Sequence, residues 1–309
     1  MNPRVIFPKD NFFDKLASFN PSNKELCDLI KKDHIEIINY FSQLDDSDKL
    51  CLLKYVIWQY DLALFCKLYQ SSNIDITYND NELLRTAATL GAGNIILYLA
   101  KNGENITFDD NYIFRVIIGK VNIEILEALV DYGCNIHADK EHALKTICAS
   151  YYQMEKLTFL VRMGADIHID DDYPLILACQ CMNNDIAIYL IDSGANIHTN
   201  DEYPLRLSIE CSNVELIKYL INAGADTTKI SIDNIINCID NGSYRSHPGY
   251  YTSDTIRLLL EHNIDLSSLN KITKKKNDCY ELINVLVSGG VEPLVIANLL
   301  TGNLIRPKN

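Results

Sequence analysis

The chain has 309 residues, 28 Lys+Arg against 41 Asp+Glu, a formal net charge of −13 and 48% hydrophobic residues. That apolar content excludes wholesale disorder, and the acidity argues against a protein whose main task is to grip nucleic acid or an anionic membrane. The start, MNPRVIFPKD, lacks the apolar run of a secretory signal, and the most apolar long window, Leu282 to Leu300, is interrupted by Asn284, Glu292, Pro293 and Asn298, so no membrane span is expected. Ten cysteines scattered singly suit a reduced, cytoplasmic compartment better than a disulfide framework.

Along the chain, residues 1–48 are expected to form an N-terminal cap with a degenerate repeat, in which Ile38 and Phe41 precede Asp45. From there a period emerges. Gly103, Gly133, Gly164, Gly194 and Gly224 fall 30, 31, 30 and 30 residues apart and open the phrases GENIT, GCNIH, GADIH, GANIH and GADTT. Asn73 opens NIDIT upstream and Asn263 opens NIDLS downstream. Gly and Asn tolerate the left-handed conformation just past a helix end, so the column predicts one helix stop per repeat.

Four residues before this column stand Tyr69, Leu99, Leu129, Leu160, Leu190, Leu220 and Leu259. Seven before it stand Cys66, Ile96, Leu126, Leu157, Ala187, Ile217 and Ile256, completing one apolar helix face. Each unit is expected to be helix, turn, helix and a short extended hairpin. In one unit YPLILACQC (Tyr173–Cys181), with Pro174 in its first turn, is followed by a turn at Asn183–Asn184 and a second helix ending at Gly194. Helices this short are marginal alone, so the core must run between neighbouring units. Central repeats are expected over 49–229, a repeat with an insertion between its helices over 230–268, and a degenerate last repeat with a C-terminal cap over 269–309. The insertion, 242–253, carries Tyr244, Arg245, His247, Tyr250 and Tyr251, and is expected to be a tolerated surface loop.

These residues resemble the ankyrin repeat. Tyr173-Pro174-Leu175 and Tyr203-Pro204-Leu205 match the family's T-P-L, Ala178 and Cys179 its Ala pair, Gly91 its turn glycine, and Gly164-Ala165-Asp166-Ile167-His168 its terminal phrase. The family's T-P-L histidine is replaced by Ile176 and Arg206. The period of 30 against the family's 33 removes residues from the hairpin tips and predicts short fingers. The isoleucine- and asparagine-rich style is similar to ankyrin arrays of giant DNA viruses of amoebae. The resemblance implies an all-α ankyrin-repeat α-solenoid of about nine units with short β-hairpin-like fingers. It also implies a non-enzymatic protein-binding scaffold. A different function within the resemblance is a substrate adaptor that engages a host ubiquitin ligase through the N-terminal cap.

No site chemistry stands against this. His137, His168 and His198 recur one per unit, too far apart to share a zinc ion, and are expected to close the hairpin stems. Cys179 and Cys181 point to different helix faces, and Gly91-Ala92-Gly93 lies in an inter-helix turn rather than after a strand. No metal, cofactor or catalytic residue is expected. Acidic residues cluster at the fingers, and the expected protein-binding residues are Asp109, Asp110, Tyr112, Asp171, Asp172, Tyr173, Asp201, Glu202, Tyr203 and Arg206. The expected partner is a protein, basic in character, with no nucleic acid or membrane involved, and the chain is expected to act as a monomer. The acids would also favour adjacent helix N-termini. The run Lys271, Lys274, Lys275 and Lys276 is expected to be a solvated helix face.

Overall fold

The computed structural model describes residues 38, 41–42, 44–72, 74–75, 77–241, 250–264, 266, 280–293 and 295–296. Most of the expected N-terminal cap, the insertion residues 242–249 and the lysine run lie outside these residues. The chain divides into two compact units, Met1–Ala138 and Asp139–Asn309.

In the first unit the helices are α1 (Asp46–Gln59), α2 (Leu62–Ser71), α3 (Tyr78–Leu90), α4 (Gly93–Lys101), α5 (Phe108–Ile117) and α6 (Ile123–Asp131). First helices stack on first helices, α1 on α3 and α3 on α5, while second helices stack as α2 on α4 and α4 on α6. The second unit opens with α7 (Ala138–Cys148). It continues with α8 (Met154–Arg162), α9 (Ile169–Gln180), α10 (Asn184–Asp192), α11 (Thr199–Glu210), α12 (Val214–Asn222), α13 (Ile232–Asn241), α14 (Tyr250–Glu261) and α15 (Tyr280–Ser288). Here α9, α11 and α13 form one row, α8, α10, α12 and α14 the other, and α15 packs on α14.

The apolar columns make these rows. Ile96, Leu99, Leu126, Leu129, Leu157, Leu160, Ala187, Leu190, Ile217, Leu220, Ile256 and Leu259 are all fully buried. The frame slips at α2. Cys66 and Tyr69 are only half-buried, and Phe65 and Leu68, one residue earlier, take the core positions in α2, which also starts one residue earlier relative to the column than α4 and α6 do.

The expected helix stops are present, with Gly103 at φ 90°, Gly164 at 91°, Gly194 at 100° and Asn263 at 61°. Gly194 N–H donates to the Ile191 carbonyl at 3.0 Å and Ala195 N–H to the Leu190 carbonyl at 2.9 Å. This pair of bonds satisfies two of the carbonyls that a helix end leaves open. The same pair recurs at Gly164–Ala165 and Gly224–Ala225.

Two expectations are corrected. Among the described residues there is no strand, so the fingers are not hairpins. The three residues missing from each finger leave too little chain for two paired strands. Turns built from side-chain caps replace them. Residues 250–253, expected within the insertion, belong instead to α14, which begins at Tyr250 and buries Thr252 and Ser253.

Gly93, the first residue of α4, has a purpose that its pattern does not announce. A Cβ there would lie 2.6 Å from Ile125 Cγ2 and 3.2 Å from Val121 Cγ1 on the next repeat. Gly93→Ala should therefore lose about 1–3 kcal/mol of stability by overpacking, measured by urea unfolding. A variant as stable as the native chain would show that α4 and α6 can separate freely.

Candidate functional site

Each finger is built in the same order. After the glycine stop, an Asn or Asp side chain accepts the amide two residues on. Asp166 accepts from His168 at 2.9 Å, Asn196 from His198 at 3.0 Å and Asp226 from Thr228 at 2.9 Å. In the first unit Asn105 accepts from Thr107 and Asn135 from His137, both at 3.0 Å. Such local bonds make a tight turn without a partner strand. Where Thr follows, its hydroxyl also donates to the carboxylate, and hydrogen bonds from Thr77 and Thr228 hold Asp75 and Asp226 below the usual carboxylate range.

Next come three consecutive residues in the left-handed region: Asp109–Asn111, Asp139–Glu141, Asp170–Asp172 and Asn200–Glu202, with φ between 47° and 62°. This conformation costs most residues energy, and Asp and Asn tolerate it best because short polar side chains bond locally. The acidic composition of the fingers is thus a backbone requirement before it is a surface charge. The right-handed helix follows directly, at Tyr112, Tyr173 or Tyr203.

The third left-handed residue points inward. Asn111, Glu141, Asp172 and Glu202 are 9%, 4%, 6% and 5% exposed. Asn111 Oδ1 accepts the Asn135 amide of the next finger at 2.8 Å, and Asp172 Oδ1 accepts that of Asn196 at 2.9 Å. The histidines belong to the same device. His168 Nδ1 lies 2.8 Å from Asp172 Oδ1, and His198 Nδ1 lies 2.5 Å from Glu202 Oε1. Asp172 and Glu202 are therefore removed from the candidate partner surface, because each is buried and engaged in holding a finger.

The exposed finger acids include Asp80, Asp109 and Asp110 in the first unit and Asp139, Asp170, Asp171 and Asp201 in the second. Asp109 pairs with Arg85 at 3.1 Å, Asp170 with Lys145 at 2.5 Å and Asp201 with Lys229 at 2.9 Å. The Lys145 hydrogen bond holds Asp170 below the usual carboxylate range, and Asp201 raises Lys229 above the usual lysine range. Exposed pairs of this kind contribute little stability. Among the aromatic candidates, Tyr112 is half-buried beneath the Arg85 guanidinium, 4.4 Å from its ring centroid. Tyr173 is 39% exposed with Lys145 Nζ at 5.9 Å, and Tyr203 is 37% exposed with the Arg206 guanidinium at 5.5 Å.

Arg206 proves to be a finger tether. Its Nη2 donates to the Asn200 carbonyl at 2.9 Å. Sequence reasoning missed its equivalents, which stand four residues past the inward-pointing column. Arg85 Nε donates to the Asp80 carbonyl at 2.8 Å, and Arg115 donates to the Asp109 and Asp110 carbonyls at 3.0 Å. The available signal was the recurrence of Arg or Lys at 85, 115, 145 and 206, at the offset where the resemblance had noted only a missing histidine.

Among the described residues, no group of three or more His, Cys, Asp or Glu side chains is placed to hold a metal ion. The eight described cysteines are thiols, and burial pushes those of Cys134, Cys148 and Cys179 up to about 12, which suits packing groups rather than nucleophiles. No helix among the described residues is long and apolar enough to cross a membrane.

Comparison with known proteins agrees with this architecture. Residues 145–231 match the model for ankyrin repeats (3 copies). The chain is 28% identical over 146 residues to an ankyrin repeat protein of Acanthamoeba polyphaga mimivirus, an alignment covering 43% of this chain and 40% of that protein. The chain thus spans less than half the length of that relative. Among solved structures, the human ASB11 ankyrin repeat domain superposes with a TM-score of 0.50 at 18% identity, covering 66% of this chain and 96% of that one. Ankyrin repeats are in general protein–protein interaction modules. Residues 145–231 thus match the ankyrin-repeat model, and the fold is that of an ankyrin-repeat domain.

Proposed function

We propose that the chain is a non-catalytic binding module that presents its fingers and the starts of its first helices to a basic protein partner. The observation that carries this is the register of the second unit. Asp170 and Asp171 lead into Tyr173, Asp201 leads into Tyr203, and all five side chains are exposed on successive fingers. Tyrosine supplies contact area at low entropic cost, and the acids steer a complementary surface. In the first unit Asp109, Asp110 and Tyr112 repeat the arrangement.

The test is affinity capture by the intact chain, compared with a variant carrying Asp110→Lys and Asp171→Lys. Both positions are exposed, and Lys140 holds the same left-handed place in its own finger, so the variant should fold normally while capture falls about tenfold or more, since like charges facing one another across an interface cost several kcal/mol. Equal capture by the two proteins would overturn the proposal. The adaptor function attaches to the N-terminal cap, residues 1–48, most of which lie outside the described residues, and no observation favours it.

A further inference from the structure

The chain fills most of its finger sites with its own cations, and at one finger the matching position carries none. Arg85 shows the filled form. Its guanidinium lies 4.4 Å from the Tyr112 centroid and 5.1 Å from that of Phe108. The carboxylates of Asp80, on its own finger, and Asp109, on the next, both lie at 3.1 Å. Lys145 makes a reduced version of this site, with Tyr173 and Asp170 of the next finger. A cation between an aromatic face and carboxylates is favourable, and the planar guanidinium suits both partners at once.

The equivalent position in the Asp170–Asp172 finger is Ile176, four residues past Asp172 as Arg85 is four past Asn81. Ile176 is 6% exposed and carries no charge. The rest of the site is nevertheless present. Asp171 occupies the place of Asp80 and is exposed. Tyr203 stands 27 residues past Ile176, as Tyr112 stands 27 past Arg85, and its ring remains 37% exposed. The surrounding charges are already engaged: Asp170 with Lys145, Asp201 with Lys229, and Arg206 with the Asn200 carbonyl and, at 5.5 Å, with part of the Tyr203 ring. Asp172 and Glu202 lie below the surface, each against an exposed histidine, His168 and His198.

We propose that the surface formed by Asp171, Ile176 and Tyr203 receives an arginine side chain of the partner protein, which completes in trans the site that Arg85 completes in cis. This rests on the binding-module function and narrows it to one residue type at one finger. The aliphatic part of the arginine would lie on Ile176, its guanidinium against the Tyr203 ring and the Asp171 carboxylate. Lysine would fit less well, because its ammonium is a point charge that cannot stack.

The test is an NMR titration of the intact chain with N-acetyl-arginine amide, and with N-acetyl-citrulline amide as the uncharged analogue. Saturable shifts are expected at the amides of 170–173 and 200–203, several-fold larger with arginine than with citrulline. Ile176→Arg should fill the site from within and remove these shifts, and Asp171→Asn should weaken them. Should Ile176→Arg fail to fold, Asp171→Asn alone decides, since that side chain is exposed. Equal responses to the two ligands, or shifts unchanged in the folded variants, would overturn the proposal. Partner capture that is lost in the double lysine variant but undiminished in Ile176→Arg would overturn the arginine site while leaving the binding module standing. Capture indifferent to every variant would remove both.

Discussion

Replacing Asp172 by Ala should destabilise the Asp139–Asn309 unit by about 2–4 kcal/mol, the sum of an orphaned buried donor and an alanine forced into the left-handed region. Asp172 sits at φ 59° and 6% exposure, and its Oδ1 accepts the Asn196 amide at 2.9 Å. Alanine would leave that amide without its acceptor, and His168 would lose its contact too. Asp172→Asn should lose about 1 kcal/mol or less, because a side-chain amide oxygen can accept the same bond. The first unit supplies the precedent, where Asn111 Oδ1 holds the Asn135 amide at 2.8 Å. Asp171→Asn, one residue earlier and exposed, should stay within about 0.5 kcal/mol of the native chain. Urea unfolding of the three variants checks the ordering. Equal losses at 171 and 172 would show that the finger bond contributes nothing.

Leu190→Ala should have an effect of similar or larger size, about 2–5 kcal/mol, from lost burial and the cavity left behind. Leu190 is fully buried in α10, between α8 and α12. Its carbonyl accepts the Ala195 amide that terminates the helix, a bond the substitution leaves chemically intact. The loss should therefore be one of packing, not capping. In a repeat array each unit is stabilised mainly by its neighbours. Hydrogen exchange should accordingly accelerate most in α8, α10 and α12, and less in α14. A loss below about 1 kcal/mol would mean that the second-helix row is not where the stability of this unit resides.

The helices and their stacking were legible because they rest on two simple regularities. Glycine at a fixed interval marks a left-handed stop, and leucine four residues earlier marks the buried face. Both act locally, so one sequence suffices to see them. The fingers were less legible because their residues serve two demands that composition cannot separate. Asp170, Asp171 and Asp172 read as one acidic cluster, yet the first pairs with Lys145, the second faces solvent and the third is buried on Asn196. Only the backbone path distinguishes them. The slip at α2 was hidden for a related reason: Cys66 and Tyr69 are apolar enough to satisfy the pattern, and Phe65 and Leu68 satisfy it one residue away. The tethers Arg85, Arg115 and Arg206 stood in a visible column, but their acceptors are carbonyls exposed by a turn that the sequence does not display.

The left-handed turns also restrict how such a protein can change partners. A position held at φ near 50–60° resists β-branched and bulky aromatic side chains. In these four fingers the three successive left-handed positions carry only Asp, Asn, Glu or Lys. Variation is freer one residue and four residues further on, where Tyr112, His142, Tyr173 and Tyr203 alternate in one column and Arg85, Arg115, Lys145, Ile176 and Arg206 in the other. New specificity would then evolve at the helix starts, with the fingertips serving as a conserved chiral frame that holds those columns in place.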